Sequence, residues 1–233
     1  MFKIRLAELN IGVSCIYDYT REMCADYMTD GECDFSVSVT EEDIDREDDG
    51  SGFDRGYLES LAVYRKIAER LLDYDGFLMH GVAVDVDGAG VAFLARSGTG
   101  KSTHSAFWQE YFGNRLTVVN GDKPLVRMTD GSAYAYGTPW AGKEGFNKNT
   151  KTRLEKICFI ERCEKNYVEK VQGRDVLMRL CAQIYMPPDG AKKLKTFELC
   201  DRFIRSCEFY IINCNIDPQA AEVAARGVGI IDR

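Results

Sequence analysis

The spacing of apolar positions along the chain changes period several times, and each change marks an element. "FKIRLAELNIGVSCIY" (2–17) and "CDFSVSV" (33–39) alternate as short strands that add to a sheet. The acidic block "EEDIDREDDGSG" (41–52) reads as a solvated loop. In "YLESLAVYRKIAERLLDY" the positions Leu58, Leu61, Ala62, Tyr64, Ile67, Ala68, Leu71 and Leu72 fall on one helical face, which predicts a helix packed on the core. "GFLMHGVAVDVDGAGVAFLA" (76–95) predicts two β runs joined at Asp87-Gly88, a hairpin signal.

Beyond the hairpin, "STHSAFWQEYF" reads as a helix stopped by Gly113, and "RLTVVNGD" as a buried strand. Strand, turn, helix and strand make a βαβ unit, which is right-handed by default. "SAYAY" opens another strand, followed by a long polar loop to about residue 153. "KICFIER" and "NYVEKV" then predict a hairpin around "CEKN". A helix from Gly173 ends before Pro187-Pro188, a second covers 192–207, a strand "FYIINCN" follows, and Asp217-Pro218 starts a last helix over 218–226. The fold class is α/β, a mixed sheet flanked by helices, with an N-terminal strand-plus-helix module at 1–75 and a main domain at 76–233.

Composition narrows the function. A chain of 233 residues that is 45% apolar and 11% aromatic has enough material for a real core. A net charge of −7 argues against a nucleic-acid partner, which needs a dense basic face. The sequence has no membrane-length apolar run, and "MFKIRLAELN" has no signal-like stretch, so the expected location is the cytoplasm, away from membranes. Nine cysteines without a CxxC spacing read as reduced thiols. With only His80 and His104, a multi-histidine metal site is excluded, which leaves oxygen ligands for any metal.

The chemistry concentrates in "ARSGTGKS" (95–102). It matches the phosphate-binding P-loop (Walker A) pattern GxxxxGK[ST] except that Ala95 replaces the first glycine. Gly98 and Gly100 let backbone amides converge on phosphate oxygens, with Ser97 and Thr99 between them, and the helix from Lys101 points its positive dipole end at the same place. Lys101 would neutralise the β and γ phosphates of ATP, Ser102 would ligate Mg²⁺, and Thr103 would reach the α-phosphate. Asp122, at the carboxyl end of the next strand, would hold the metal or take a proton from an attacking hydroxyl. His80 lies where a strand cap and an active-site residue are both open readings.

"MHGVAVDVDGAGVAFLARSGTGKST" followed by "LTVVNGDKPLVR" resembles the catalytic core of the HPr kinase/phosphorylase family, over roughly residues 77–127. "GTPWAGKEGFN" and "NCNIDPQAAEVA" are similar to the wider group of small HPr-kinase-like proteins. The resemblance implies a P-loop kinase core of the type shared with phosphoenolpyruvate carboxykinases. It makes His80 the active-site histidine, Lys101 the phosphate-binding lysine, Ser102 the magnesium ligand and Asp122 the proton acceptor. Gly121 stands where the family has the first of two aspartates. Relatives are often oligomeric, so a homo-oligomer is an expectation too.

The loop "YGTPWAGKEGFNKNTKTR" completes the candidate set as a lid. There Lys143 or Arg153 would stabilise transferring phosphoryl oxygens, Glu144 would supply the missing acidic metal ligand, and Trp140 would stack on a ligand. The resulting expectation is an ATP- and Mg²⁺-dependent kinase acting on a hydroxyl of a peptide, protein or metabolite. A nucleotide-binding regulator without transfer chemistry and a carboxykinase-like lyase stay open beside it.

Overall fold

The computed structural model describes residues 1–231. The chain divides into two compact units, 1–74 and 75–233. In the first, β1 (Phe2–Leu6) and β2 (Leu9–Ser14) form a hairpin whose turn residues Ala7 and Glu8 both have positive φ. A short α1 (Tyr19–Met23) follows, and β3 (Phe35–Ser38) then pairs parallel with β2. These strands make a three-stranded sheet of their own, β1-β2-β3.

The acidic block also departs from its reading, because α2 (Glu41–Asp45) opens it. Thr40 caps Asp43 and Asp43 caps Thr40 in return, so two orphan amides are satisfied and three carboxylates sit at the favourable helix end. α3 (Arg55–Leu71) carries the predicted apolar face, and Leu58, Ala62, Val63, Ile67 and Leu71 are buried.

In the second unit β4 (Gly76–Leu78) precedes the hairpin of β5 (Val82–Val86) and β6 (Ala89–Leu94). Asp87 and Gly88 both have positive φ, the geometry that a tight two-residue turn demands. α4 (Lys101–Phe112) leads to β7 (Leu116–Asn120), β8 (Leu125–Thr129) and β9 (Ser132–Tyr136). β10 (Lys151–Arg162), β11 (Tyr167–Val171), α5 (Arg174–Cys181), α6 (Gly190–Ser206), β12 (Glu208–Cys214) and α7 (Gln219–Gly227) complete the chain.

The result is a mixed α/β fold with a curled mixed sheet flanked by helices. β10 makes the curl: its first three residues pair antiparallel with β9, and after a register shift the rest runs parallel between β6 and β12. The predicted hairpin of "KICFIER" and "NYVEKV" does not form, because β12 lies between β10 and β11. β12 is almost entirely buried and needs a neighbour on each side. β11, with exposed Glu169 and Lys170, is suited to an edge.

One face of this sheet, with Val84, Phe93, Ile160 and Ile212, packs on Trp108 and Phe112 of α4 and on an alanine-rich face of α7. Across the other, Phe77, Phe203 and Phe209 meet edge to face. β6, β7, β10 and β12 all point the same way, so their carboxyl ends reach one edge of the sheet. The amino end of β5, with His80 just before it, reaches the same edge.

Candidate functional site

That edge carries the candidate site, all of it within residues 75–233. β6 ends at Leu94 and the chain turns through Ala95–Gly100 into α4, with Gly98 at φ 77° and Gly100 at φ 120°. Both values are strained for any residue with a Cβ, and the space around both positions is open. The amides of Gly98, Gly100, Lys101 and Ser102 make no hydrogen bond among the described residues. They sit at the positive end of a twelve-residue helix, the arrangement that binds anions. Arg162, at the end of β10, braces the loop from outside: it donates to the carbonyls of Thr99 (3.0 Å) and Gly98 (2.6 Å). Ala95 is buried, and no positive φ occurs there that would require glycine.

Lys101 is only 8% exposed, and its ammonium donates to the Ala95 carbonyl at 2.8 Å. Burial lowers its pKa, and the Asp122 carboxylate works in the opposite direction. The same nitrogen lies 3.3 Å from His80 Nε2, which in turn lies 3.4 Å from Asp122 Oδ1. A single ring nitrogen cannot accept from the ammonium and donate to the carboxylate at once. Nε2 therefore serves one partner at a time, donating to Asp122 or accepting from Lys101. For Asp122, burial pushes the pKa up, but the hydrogen bond from His80 and the charges of Lys123, His80 and Lys101 outweigh it, so the carboxyl lies below its ordinary value.

A buried residue that the sequence reading passed over sets this geometry. Asn120, 0% exposed at the end of β7, accepts with Oδ1 from the amides of Asp122 (2.9 Å) and Lys123 (2.7 Å). Its Nδ2 donates to the Thr138 carbonyl at 3.0 Å. Asx turns of this kind are the usual role of Asn at a strand end. The Asp122 carbonyl accepts from Gly81, and the His80 amide donates to the Gln183 carbonyl at 2.7 Å, so the two side chains face each other from fixed backbones.

The loop after β9 departs from the lid expectation. Lys148 donates its amide to Val119, Gly121 donates to Phe146 and Gly137 donates to Thr150, which pins the segment along β7. Trp140 is 5% exposed and buried with Ala141, so it is not presented for stacking on a ligand. Lys143 and Glu144 are exposed on the turn at 142–145, and neither bonds His80, Lys101, Ser102 or Asp122 among the described residues. Arg153 pairs through its backbone with Tyr134 at the start of β10, on the sheet and away from the loop tip. The structure thus brings together His80, Lys101 and Asp122, with Ser97, Gly98, Thr99, Gly100, Ser102 and Thr103 along the loop and first helical turn; Lys143 and Glu144 follow Gly142, which packs against Asp122, but bond none of these groups.

Gly121 has a steric reason. A Cβ there would lie 3.1 Å from the Ala141 carbonyl oxygen and 3.2 Å from that of Phe146, so a second aspartate would press on the pinned loop. No cluster of three or more His, Cys, Asp or Glu able to hold a metal occurs among the described residues. Ser102, exposed in the first turn of α4, and the ionised Asp122 are the oxygen donors present. They suit Mg²⁺, which takes one or two protein ligands and fills its shell with water and phosphate oxygens. All nine cysteines are free; burial pushes Cys24 and Cys200 up to about 12, so these thiols stay protonated. No helix among the described residues is long and apolar enough to cross a membrane.

No family model and no curated protein matches this chain. Among solved structures, the Hpr(Ser) kinase/phosphatase from Coxiella burnetii is similar with a TM-score of 0.30 and 10% identity, over 53% of this chain and 86% of that one. A likeness of that size carries no argument about chemistry, which rests on the geometry above.

Proposed function

We propose that the chain is a P-loop phosphotransferase that moves the γ-phosphoryl group of ATP to a hydroxyl group of a peptide, protein or small metabolite, with Mg²⁺. The observation that carries this reading is the meeting of Lys101, His80 and Asp122 at the mouth of a loop in which the amides of Gly98, Gly100, Lys101 and Ser102 lack partners among the described residues. In this reading the amides of Gly98 to Ser102 hold the phosphates, and Lys101 leaves the Ala95 carbonyl for phosphate oxygen. Ser102 and Asp122 would hold Mg²⁺, which would supply positive charge to offset that of the phosphates.

The acceptor oxygen attacks the γ-phosphorus, the bond to the β–γ bridging oxygen breaks, and ADP leaves. The hydroxyl proton passes to Asp122. A carboxylate with a lowered pKa is a weak base, which suits the loose transition state of phosphoryl transfer, where the hydroxyl is acidified late. His80 takes the negative charge of Asp122 before transfer and is free to donate toward phosphate after it.

The test uses γ-labelled ATP, Mg²⁺ and a panel of hydroxyl compounds. Asp122→Asn should keep ATP affinity and lose transfer about 10²–10⁴-fold, the range of a general base. Chelating Mg²⁺ should stop transfer. Gly121, which leaves the site without a second carboxylate, favours one other reading: a protein that binds nucleotide without transferring phosphate. ATP binding with no transfer or hydrolysis, unchanged by Asp122→Asn, would establish that reading instead.

A further inference from the structure

Two cavities flank the glycine-rich loop. One, of about 650 Å³, lies beside α4, between Phe107, Ile160 and Ile216. The other, of about 880 Å³, opens between the loop and α5, with Arg96, Phe159, Asp175, Met178 and Gln183 in its wall. Both are within the size range of small-molecule sites. The second borders the residues that hold the catalytic side chains: the Gln183 carbonyl accepts from the His80 amide and the Ala95 carbonyl from the Lys101 ammonium, and both residues line it.

Gln183 carries a second feature. Its side chain is 6% exposed, yet Oε1 has no hydrogen-bond partner. Leaving a buried amide oxygen unpaired is unfavourable, and native proteins rarely do so without a reason. The terminal amide torsion of Gln is soft, so Oε1 can turn toward the cavity with the backbone fixed. At the rim, Arg96 and Asp175 form no ion pair among the described residues and are both exposed. Of the other charged wall residues, Arg179 pairs with Glu161 and Arg162 is bonded to the loop carbonyls, so hydrogen bonding inside the cavity, more than an uncommitted charge, distinguishes ligands.

We propose that the cavity between the loop and α5 is the acceptor site, and that Gln183 selects the acceptor by taking a hydrogen bond from a second N–H or O–H donor next to the reacting hydroxyl. The acceptor is then a multifunctional alcohol, an amino-alcohol or polyol unit, whether free or within a chain. A simple alcohol leaves Gln183 unpaired and is a poor substrate. This inference rests on the phosphotransferase reading.

The full chain, with ATP and Mg²⁺, would be assayed for transfer to L-serine, N-acetylserine methylamide and glycerol, with 1-propanol as the single-donor control. At least one of the first three should exceed 1-propanol by about tenfold in kcat/KM, the effect of one hydrogen bond to a buried group. The free and blocked serines tell a small compound from a chain. Gln183→Leu should raise that acceptor's KM by a similar factor and leave kcat and the KM for ATP unchanged, and Gln183→Glu should recover part of the loss. Because Leu removes an unsatisfied polar group, the variant should fold at least as stably. No discrimination against 1-propanol, or an acceptor KM indifferent to Gln183→Leu, overturns the proposal while ATP binding still stands. Loss of ATP binding itself, read by titration, takes down the phosphotransferase reading and this one with it.

Discussion

His104, one of the two histidines, belongs to the core. It follows Thr103 on α4, yet it is 2% exposed, stacks edge-on against Phe93 and accepts from Trp108 Nε1 at 3.0 Å. With Nε2 accepting, the neutral ring carries its proton on Nδ1. Burial lowers its pKa from the ordinary 6.5 to about 4. Between those values the unfolded chain binds a proton that the folded chain refuses, so stability is full above pH 6.5 and falls as pH drops toward 4. Of the acid loss between pH 7 and 4.5, His104 should account for roughly 2–3 kcal/mol. His104→Gln keeps an acceptor for Trp108 and does not titrate. Urea midpoints of the two proteins should therefore converge as pH falls, and a constant gap would refute the assignment.

Elements, more than single residues, decide whether the glycine-rich loop holds its shape. The loop follows β6, but its carbonyls are held by Arg162 from the end of the neighbouring β10. Nothing local in "CFIERC" announces that role, because it arises only when β6 and β10 lie parallel. Arg162 is exposed, so its pairing adds little to stability, within about 1 kcal/mol. Arg162→Gln should therefore leave the unfolding midpoint nearly unchanged while weakening ATP binding about tenfold, the effect of losing hydrogen bonds made by a charged donor. Calorimetric titration with ATP separates the two effects. β12 makes the same point from another side: "CEKN" is a plausible turn, but the buried run of β12 outcompetes it for the edge of β10.

At the scale of the whole molecule, every hydrogen bond of the candidate site lies inside 75–233. A piece of that size can bury a core of its own. The fragment 75–233 should bind ATP within about threefold of the full chain, well under the tenfold that a single hydrogen bond is worth. A larger loss would mean that residues 1–74 contribute to binding.

Several local contacts were legible in the sequence, although the Asx turn of Asn120 and the capping box at Thr40 were not read from it. The turn at Asp87-Gly88, the helix from Lys101 stopped by Gly113, the apolar face of α3 and the start of α7 at Asp217-Pro218 rest on backbone preferences and periods of a few residues. The same holds for Gly98 and Gly100 of the glycine-rich loop, whose φ values demand them. What the tertiary structure alone decided is long-range: β12 between β10 and β11, Arg162 bracing the loop, Trp140 turned inward, and Gln183 beside His80. Each of these joins segments far apart in the chain, and which partner a strand edge or a buried amide finds depends on what the rest of the fold has brought within reach.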